Sequence, residues 1–133
     1  MNVRTGKIAW QRDVSGNEVG GIGGTGTVHF NGVCATAGGL VFAAESLNRT
    51  GPFDPHWTFS AFSAETGDRL WQWEVPGNVG VQAPCITYSV GGRQFVAVAV
   101  GNKAARYGGS PETPHGDYFY AFGLPEQLIQ DEK

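Results

Sequence analysis

Apolar positions in this chain of 133 residues come in short alternating runs, each closed by glycine or proline. Lys7 to Gln11 reads as one strand. Val28 to Thr36 and Leu40 to Ala44 read as a strand pair about the Gly38-Gly39 turn. Glu45 to His56 carries Gly51-Pro52 and Asp54-Pro55 and is expected to be a loop. Trp57 to Ser63 and Arg69 to Val75 follow as strands, separated by the turn Ala64-Glu65-Thr66-Gly67. Cys85 to Val90 and Gln94 to Val100 form a hairpin about Gly91-Gly92. A second loop, Gly101 to Gly116, precedes the strand Asp117 to Phe122. Glu126 to Lys133 reads as a polar tail. Residues 12–26 include the run Gly20-Gly21-Ile22-Gly23-Gly24-Thr25-Gly26, a long loop without the G-x-x-x-x-G-K-[ST] pattern of a phosphate loop.

The elements recur. Thr5-Gly6-Lys7-Ile8-Ala9-Trp10 returns about sixty residues later as Thr66-Gly67-Asp68-Arg69-Leu70-Trp71. Phe59-Ser60-Ala61-Phe62 returns at nearly the same offset as Phe119-Tyr120-Ala121-Phe122. Each unit is therefore four antiparallel strands, the last carrying a tryptophan. Such units repeated radially make the blades of a β-propeller. The expected fold is all-β, about two four-stranded blades, with propeller repeats over 1–125 and the tail at 126–133. The count is uneven: one outer strand opens the chain, a full blade follows over 28–75, and a blade lacking its outer strand covers 81–123.

Composition narrows the class. Gly reaches 21 residues and charged residues only 16 %, which suits short strands joined by glycine turns. A net charge of −3 gives no reason to expect nucleic acid or an anionic membrane as partner. The apolar stretch Phe95 to Val100 is too short for a membrane span, and Met1 leads into polar and charged residues rather than a signal peptide. Cys34 and Cys85 are expected as two buried thiols, with a disulfide as the alternative.

The Thr-Gly-x-x-x-Trp turn preceded by Ala61-Phe62-Ser63-Ala64-Glu65 resembles the tryptophan-docking motif of quinoprotein dehydrogenases. Those are eight-bladed propellers that use pyrroloquinoline quinone (PQQ). The runs Ala35-Thr36-Ala37-Gly38-Gly39-Leu40-Val41-Phe42-Ala43, Ala83 to Val98, and Gly116 to Pro125 resemble the C-terminal part of that family. They are most similar to its glucose and alcohol dehydrogenase branch. The resemblance implies a periplasmic protein whose intact form binds PQQ with calcium or a lanthanide. It also implies that Trp10 and Trp71, with Gly6 and Gly67, dock neighbouring blades. In the glucose dehydrogenase branch a polar residue, often His, stands where Asn102 is. Gly101 and Asn102 are therefore the cofactor-proximal candidates, with the backbone of Gly77-Asn78-Val79-Gly80 as a further one.

No position matches the family's metal ligands or its carboxylate base. The expectation is a C-terminal propeller segment of a PQQ-dependent dehydrogenase, with no catalytic residue, no metal ligand and no cofactor bound to this chain alone. The alternative is a non-catalytic propeller scaffold or binding module. The expected partners are the remaining blades on another chain, or further copies closing into a ring. Glu45, Asp54 and His56 do not have the spacing of a metal site. His29 and His115 are solitary, Asp117 is placed to cap a turn, and Ser60 and Ser63 lack a histidine partner. Asn48-Arg49-Thr50 fits a glycosylation acceptor pattern that arises often by chance.

Overall fold

The computed structural model describes residues 5–11, 32–48, 55–76, 79–81, 83–102 and 118–124. Its elements are β1 (Cys34–Ala35), β2 (Leu40–Asn48), β3 (Pro55–Ser63), β4 (Arg69–Glu74), β5 (Val79–Gly80), β6 (Ile86–Val90), β7 (Arg93–Asn102) and β8 (Tyr118–Gly123). The first sheet has the order β1-β2-β3-β4, antiparallel throughout. In the second sheet β7 is central, pairing with β6 and β8 on its two sides and with β5 near its end. Two four-stranded antiparallel sheets of this kind are partial β-propeller blades. Among the described residues no helix is long and apolar enough to cross a membrane.

Strand alternation decides which side chains meet. Residues directly opposite across a ladder share a face, so the pairs Phe42↔Ala61, Ala44↔Phe59 and Phe59↔Trp73 define one face of the first sheet. Val96↔Phe122 and Val98↔Tyr120 define the face of the second sheet that meets it. Phe59 sits at the centre of this contact, 1 % exposed, with Phe42, Trp71 and Phe122 rings at centroid distances of 5.8, 6.2 and 6.0 Å. Trp73 bridges the sheets through Tyr120 at 4.6 Å and Phe122 at 5.0 Å. Val75, Val79, Val81 and Val100 complete the core.

The two ends of the sheets differ. At one end the chain turns tightly, through Thr36–Leu40, Ser63–Asp68 and Val90–Arg93. The Val90–Arg93 turn has two glycines, at φ 58° and 79°, which the type I′ hairpin geometry demands. At the other end the chain leaves β2 at Asn48, β4 at Glu74 and β7 at Asn102. That end carries the two longest connections between the strands of these sheets, 49–54 and 103–117, and functional residues concentrate on such connections.

Several sequence expectations change here. Glu45 to His56 is not a loop: β2 and β3 pair as far as Asn48↔Pro55, leaving only 49–54 between them. A ladder can extend through Ser, Asn and Pro at a hairpin edge once its first pairs are set, and local turn chemistry does not reveal this. Val79-Gly80, within the candidate segment 77–80, is a short strand. Lys7 to Gln11 makes no ladder among the described residues. Cys34 and Cys85 are joined as a disulfide with a Cα–Cα distance of 5.7 Å, not held as separate thiols. A sequence separation of 51 hides what the packing brings together, because β1 and the entry to β6 lie side by side across the sheet boundary. Residues 28–31, Gly77, Asn78, the tail from 126, and His29, Asp54, His115 and Asp117 lie outside the described residues.

Candidate functional site

Among the described residues the docking turn is a well-defined polar and aromatic arrangement. Ser63 to Asp68 closes on itself: Gly67 N–H donates to Ser63 O at 2.9 Å, and Ser63 N–H donates to Asp68 O at 2.8 Å. Thr66 Oγ1 donates to Asp68 Oδ2 at 2.6 Å, fixing the tip. The Trp10 indole N–H donates 2.8 Å to Ala64 O, across 54 residues of sequence. Its ring lies over Gly67, whose missing side chain makes the contact possible: a Cβ there would stand 2.7 Å from Trp10 Cδ2. Gly67 also has φ +78°, and its repeat counterpart Gly6 has φ +68°, a backbone region that favours glycine. One motif position thus combines a left-handed turn with a flat surface for an aromatic ring.

Gly67→Ala is expected to destabilise the chain by about 1–2 kcal/mol from backbone strain alone, with more from displacement of the Trp10 ring. Thermal unfolding of Gly67→Ala in the parent and in a Trp10→Ala background separates the two parts. The cost should be smaller in the Trp10→Ala background. Equal costs in both would mean that the ring does not rest on Gly67.

Trp71 occupies the second equivalent position, with a different outcome. Its ring meets Phe59 and packs edge-on to Phe122 of the second sheet at 5.1 Å, yet it is 38 % exposed. The fourth and fifth residues after Phe122 are Glu126-Gln127, where Thr66-Gly67 stand after Phe62. Leu124 O, the counterpart of Ala64 O, accepts instead from Arg93 Nη2 at 3.2 Å. Beside Trp71 a cleft of about 740 Å³ opens between the sheets, lined by Leu40, Phe42, Phe95 and Phe122, with Thr36, Thr87 and Arg93 among its polar lining residues.

The cofactor-proximal candidates lie at the end with the long connections. Gly101 pairs with Gly80 and Asn102 with Val79, so two segments picked separately from the sequence form one backbone edge. Trp57 and Thr58 lie near this end, and the buried Trp57 indole N–H and Thr58 hydroxyl have no hydrogen-bond partner among the described residues.

The opposite face of the first sheet holds an acid that the sequence pattern does not predict there. Glu45 is 1 % exposed. It accepts from Arg69 Nη2 at 2.7 Å and from Ser60 Oγ at 3.1 Å. Arg69 also reaches Gln72 Oε1 and lies over the Phe62 ring. Charge pairing with full hydrogen bonding is what a buried carboxylate requires, so Glu45 is committed to the fold. Among the described residues no three His, Cys, Asp or Glu side chains converge as a metal-ligand set.

Comparison with known proteins supplies a family context. The model of the PQQ-type glucose/ethanol/alcohol dehydrogenase β-propeller domain matches residues 1–96. A quinoprotein ethanol dehydrogenase from Pseudomonas putida is 34 % identical over 117 residues, covering 88 % of this chain and 14 % of that protein. The quinoprotein glucose dehydrogenase of Escherichia coli K12 is 32 % identical over 97 residues, 73 % of this chain and 10 % of that one. A lupanine 17-hydroxylase (cytochrome c) from a Pseudomonas species is 46 % identical over 74 residues, covering 56 % of this chain and 9 % of that protein. The chain spans 9 to 14 % of the length of these three curated relatives.

Proposed function

The chain belongs to the glucose/ethanol/alcohol dehydrogenase β-propeller family, and we propose that it is a propeller segment of a PQQ-dependent dehydrogenase oxidising alcohols or sugars, with no turnover of its own. The observation that carries this reading is the family match over residues 1–96, which covers the first sheet and runs into β7 of the second, with Trp10 docked on the turn of the first sheet. In such an enzyme PQQ and a calcium or lanthanide ion supply the redox chemistry, and a carboxylate base stands beside them. Two carboxylates of this chain have structural partners: Glu45 is held by Arg69 and Ser60, and Asp68 is bonded within the docking turn.

In this reading the residues of this chain position rather than react. The docking turn and the aromatic contact between the sheets fix the angle between neighbouring units. The pairing of Val79-Gly80 with Gly101-Asn102 then supplies a backbone edge toward the cofactor side. The Cys34–Cys85 disulfide supports a periplasmic location, since such bonds persist in oxidising compartments.

A graft tests the proposal. The 117 aligned residues of the Pseudomonas putida enzyme are replaced by those of this chain, and PQQ-dependent dye reduction with ethanol is followed. Activity retained by the graft, together with none from the isolated chain supplied with PQQ and calcium, is the expected result. A folded graft without activity would favour the non-catalytic scaffold instead. Turnover by the isolated chain would overturn the positioning role.

A further inference from the structure

Among the described residues, two halves of one interaction lack a ladder partner. β4 lies on the outer edge of β3, with Trp71 opposite Ala61 and Gln72 opposite Ser60. β8 repeats the β3 sequence, Phe119-Tyr120-Ala121-Phe122 against Phe59-Ser60-Ala61-Phe62, but among the described residues it has a ladder partner only on its β7 side. The segment Lys7 to Gln11 stands at the β4 position of the repeat and has no ladder among the described residues, with Ile8 68 % exposed. Phe119 is 86 % exposed where its counterpart Phe59 is 1 % exposed. Unpaired edges beside exposed apolar side chains recruit further strands.

The geometry points to an interaction surface on the outer edge of β8 whose occupant is the Lys7 to Gln11 strand of a second copy of this chain. A second copy is the fitting occupant because Trp10 is anchored on the wrong side for its own β8. Each tryptophan docks one unit onward: Trp10 on Ala64 and Gly67 of the first sheet, Trp71 on Phe122 of the second. The segment therefore belongs one unit before the first sheet, whereas β8 lies in the unit after it. Between copies both demands are met at once. Trp10 remains on its own docking turn while its strand backbone adds to the neighbour's β8.

The repeat fixes the register. The β3–β4 pairs Trp71↔Ala61, Gln72↔Ser60 and Arg69↔Phe62 translate into Trp10 opposite Ala121, Gln11 opposite Tyr120, and Ile8 opposite Phe122 of the neighbour. The contact is heterologous, head to tail, so it closes into a ring only if its rotation divides a full turn, and otherwise grows. It rests on the repeat and on the open edge, and is independent of the dehydrogenase reading.

The test uses the 133-residue chain in analytical ultracentrifugation and site-specific cross-linking. The expected result is a concentration-dependent rise of the weight-average mass to at least twice that of one chain at micromolar concentrations. Gln11→Cys and Tyr120→Cys chains, mixed under mild oxidation, should give a cross-linked pair, whereas Lys7→Cys with Tyr120→Cys should not. Ile8→Pro, which removes a ladder donor but leaves Trp10, should return the mass to one chain. A synthetic peptide of residues 3–12 in excess should do the same to the parent, which covers the case of Ile8→Pro failing to fold. A monomer throughout the concentration range overturns the proposal. So does an assembly indifferent to both the proline and the peptide, or one that cross-links as readily through Lys7→Cys.

Discussion

Replacing both Cys34 and Cys85 by alanine lowers the unfolding free energy by about 4 kcal/mol, as expected for release of a closed loop of this length. The bond links β1 of the first sheet to the residue just before β6 of the second, so it spans the boundary between two repeat units. The other forces across that boundary are aromatic and aliphatic contacts around Phe59 and Trp73, together with a close approach of Gly32 to Pro84. A short chain buries a smaller share of its surface than a long one, which makes a covalent link between its units count for more. Urea unfolding of the double variant against the parent, followed by tryptophan emission, measures the effect. Reductant added to the parent should move its midpoint to that of the variant. A shift below about 1 kcal/mol would mean that the inter-sheet contact already holds the unfolded chain's ends together, against the loop-entropy account.

The repeat was the legible part of the fold. Identical spacing of Thr, Gly and Trp in two places marked both tryptophan positions, and the apolar alternation of Trp57 to Ser63 and Gln94 to Val100 marked β3 and β7 to within two residues. What escaped the sequence is what depends on partners distant along it. Glu45 looked like loop polarity because the Arg69 that neutralises it is 24 residues away. Asn48 and Pro55 have poor strand propensity and still pair, because the ladder begun at Leu40↔Ser63 carries them. The Cys34–Cys85 bond is a property of packing between units, with no local signature. At the candidate site, the sequence selected Gly101, Asn102 and the 77–80 segment separately. Their pairing through Val79 and Gly80 became visible only in the sheet. Trp71 shows the reverse limit, in which a motif residue is present but the Thr-Gly turn that would cover it does not follow Phe122.

The same substitution made at the two repeat positions should have opposite outcomes. Phe59→Ala is expected to cost about 3–5 kcal/mol, the usual range for emptying a buried phenylalanine site. The loss is large because the ring is enclosed by Phe42, Trp71 and Phe122 on both sheets, so the resulting cavity cannot close without moving the sheets together. Phe119→Ala, at the repeat counterpart on β8, should change the stability of the single chain by no more than about 0.5 kcal/mol, as surface substitutions do. The comparison holds sequence context nearly constant, Phe-x-Ala-Phe in both places, and changes only whether another sheet covers the ring. Unfolding is measured at a dilution where each variant sediments as a single chain, so that self-association does not enter. A cost for Phe119→Ala approaching that of Phe59→Ala would show that the outward face of β8 is covered within one chain, and would remove the exposed apolar face that accompanies the β8 edge.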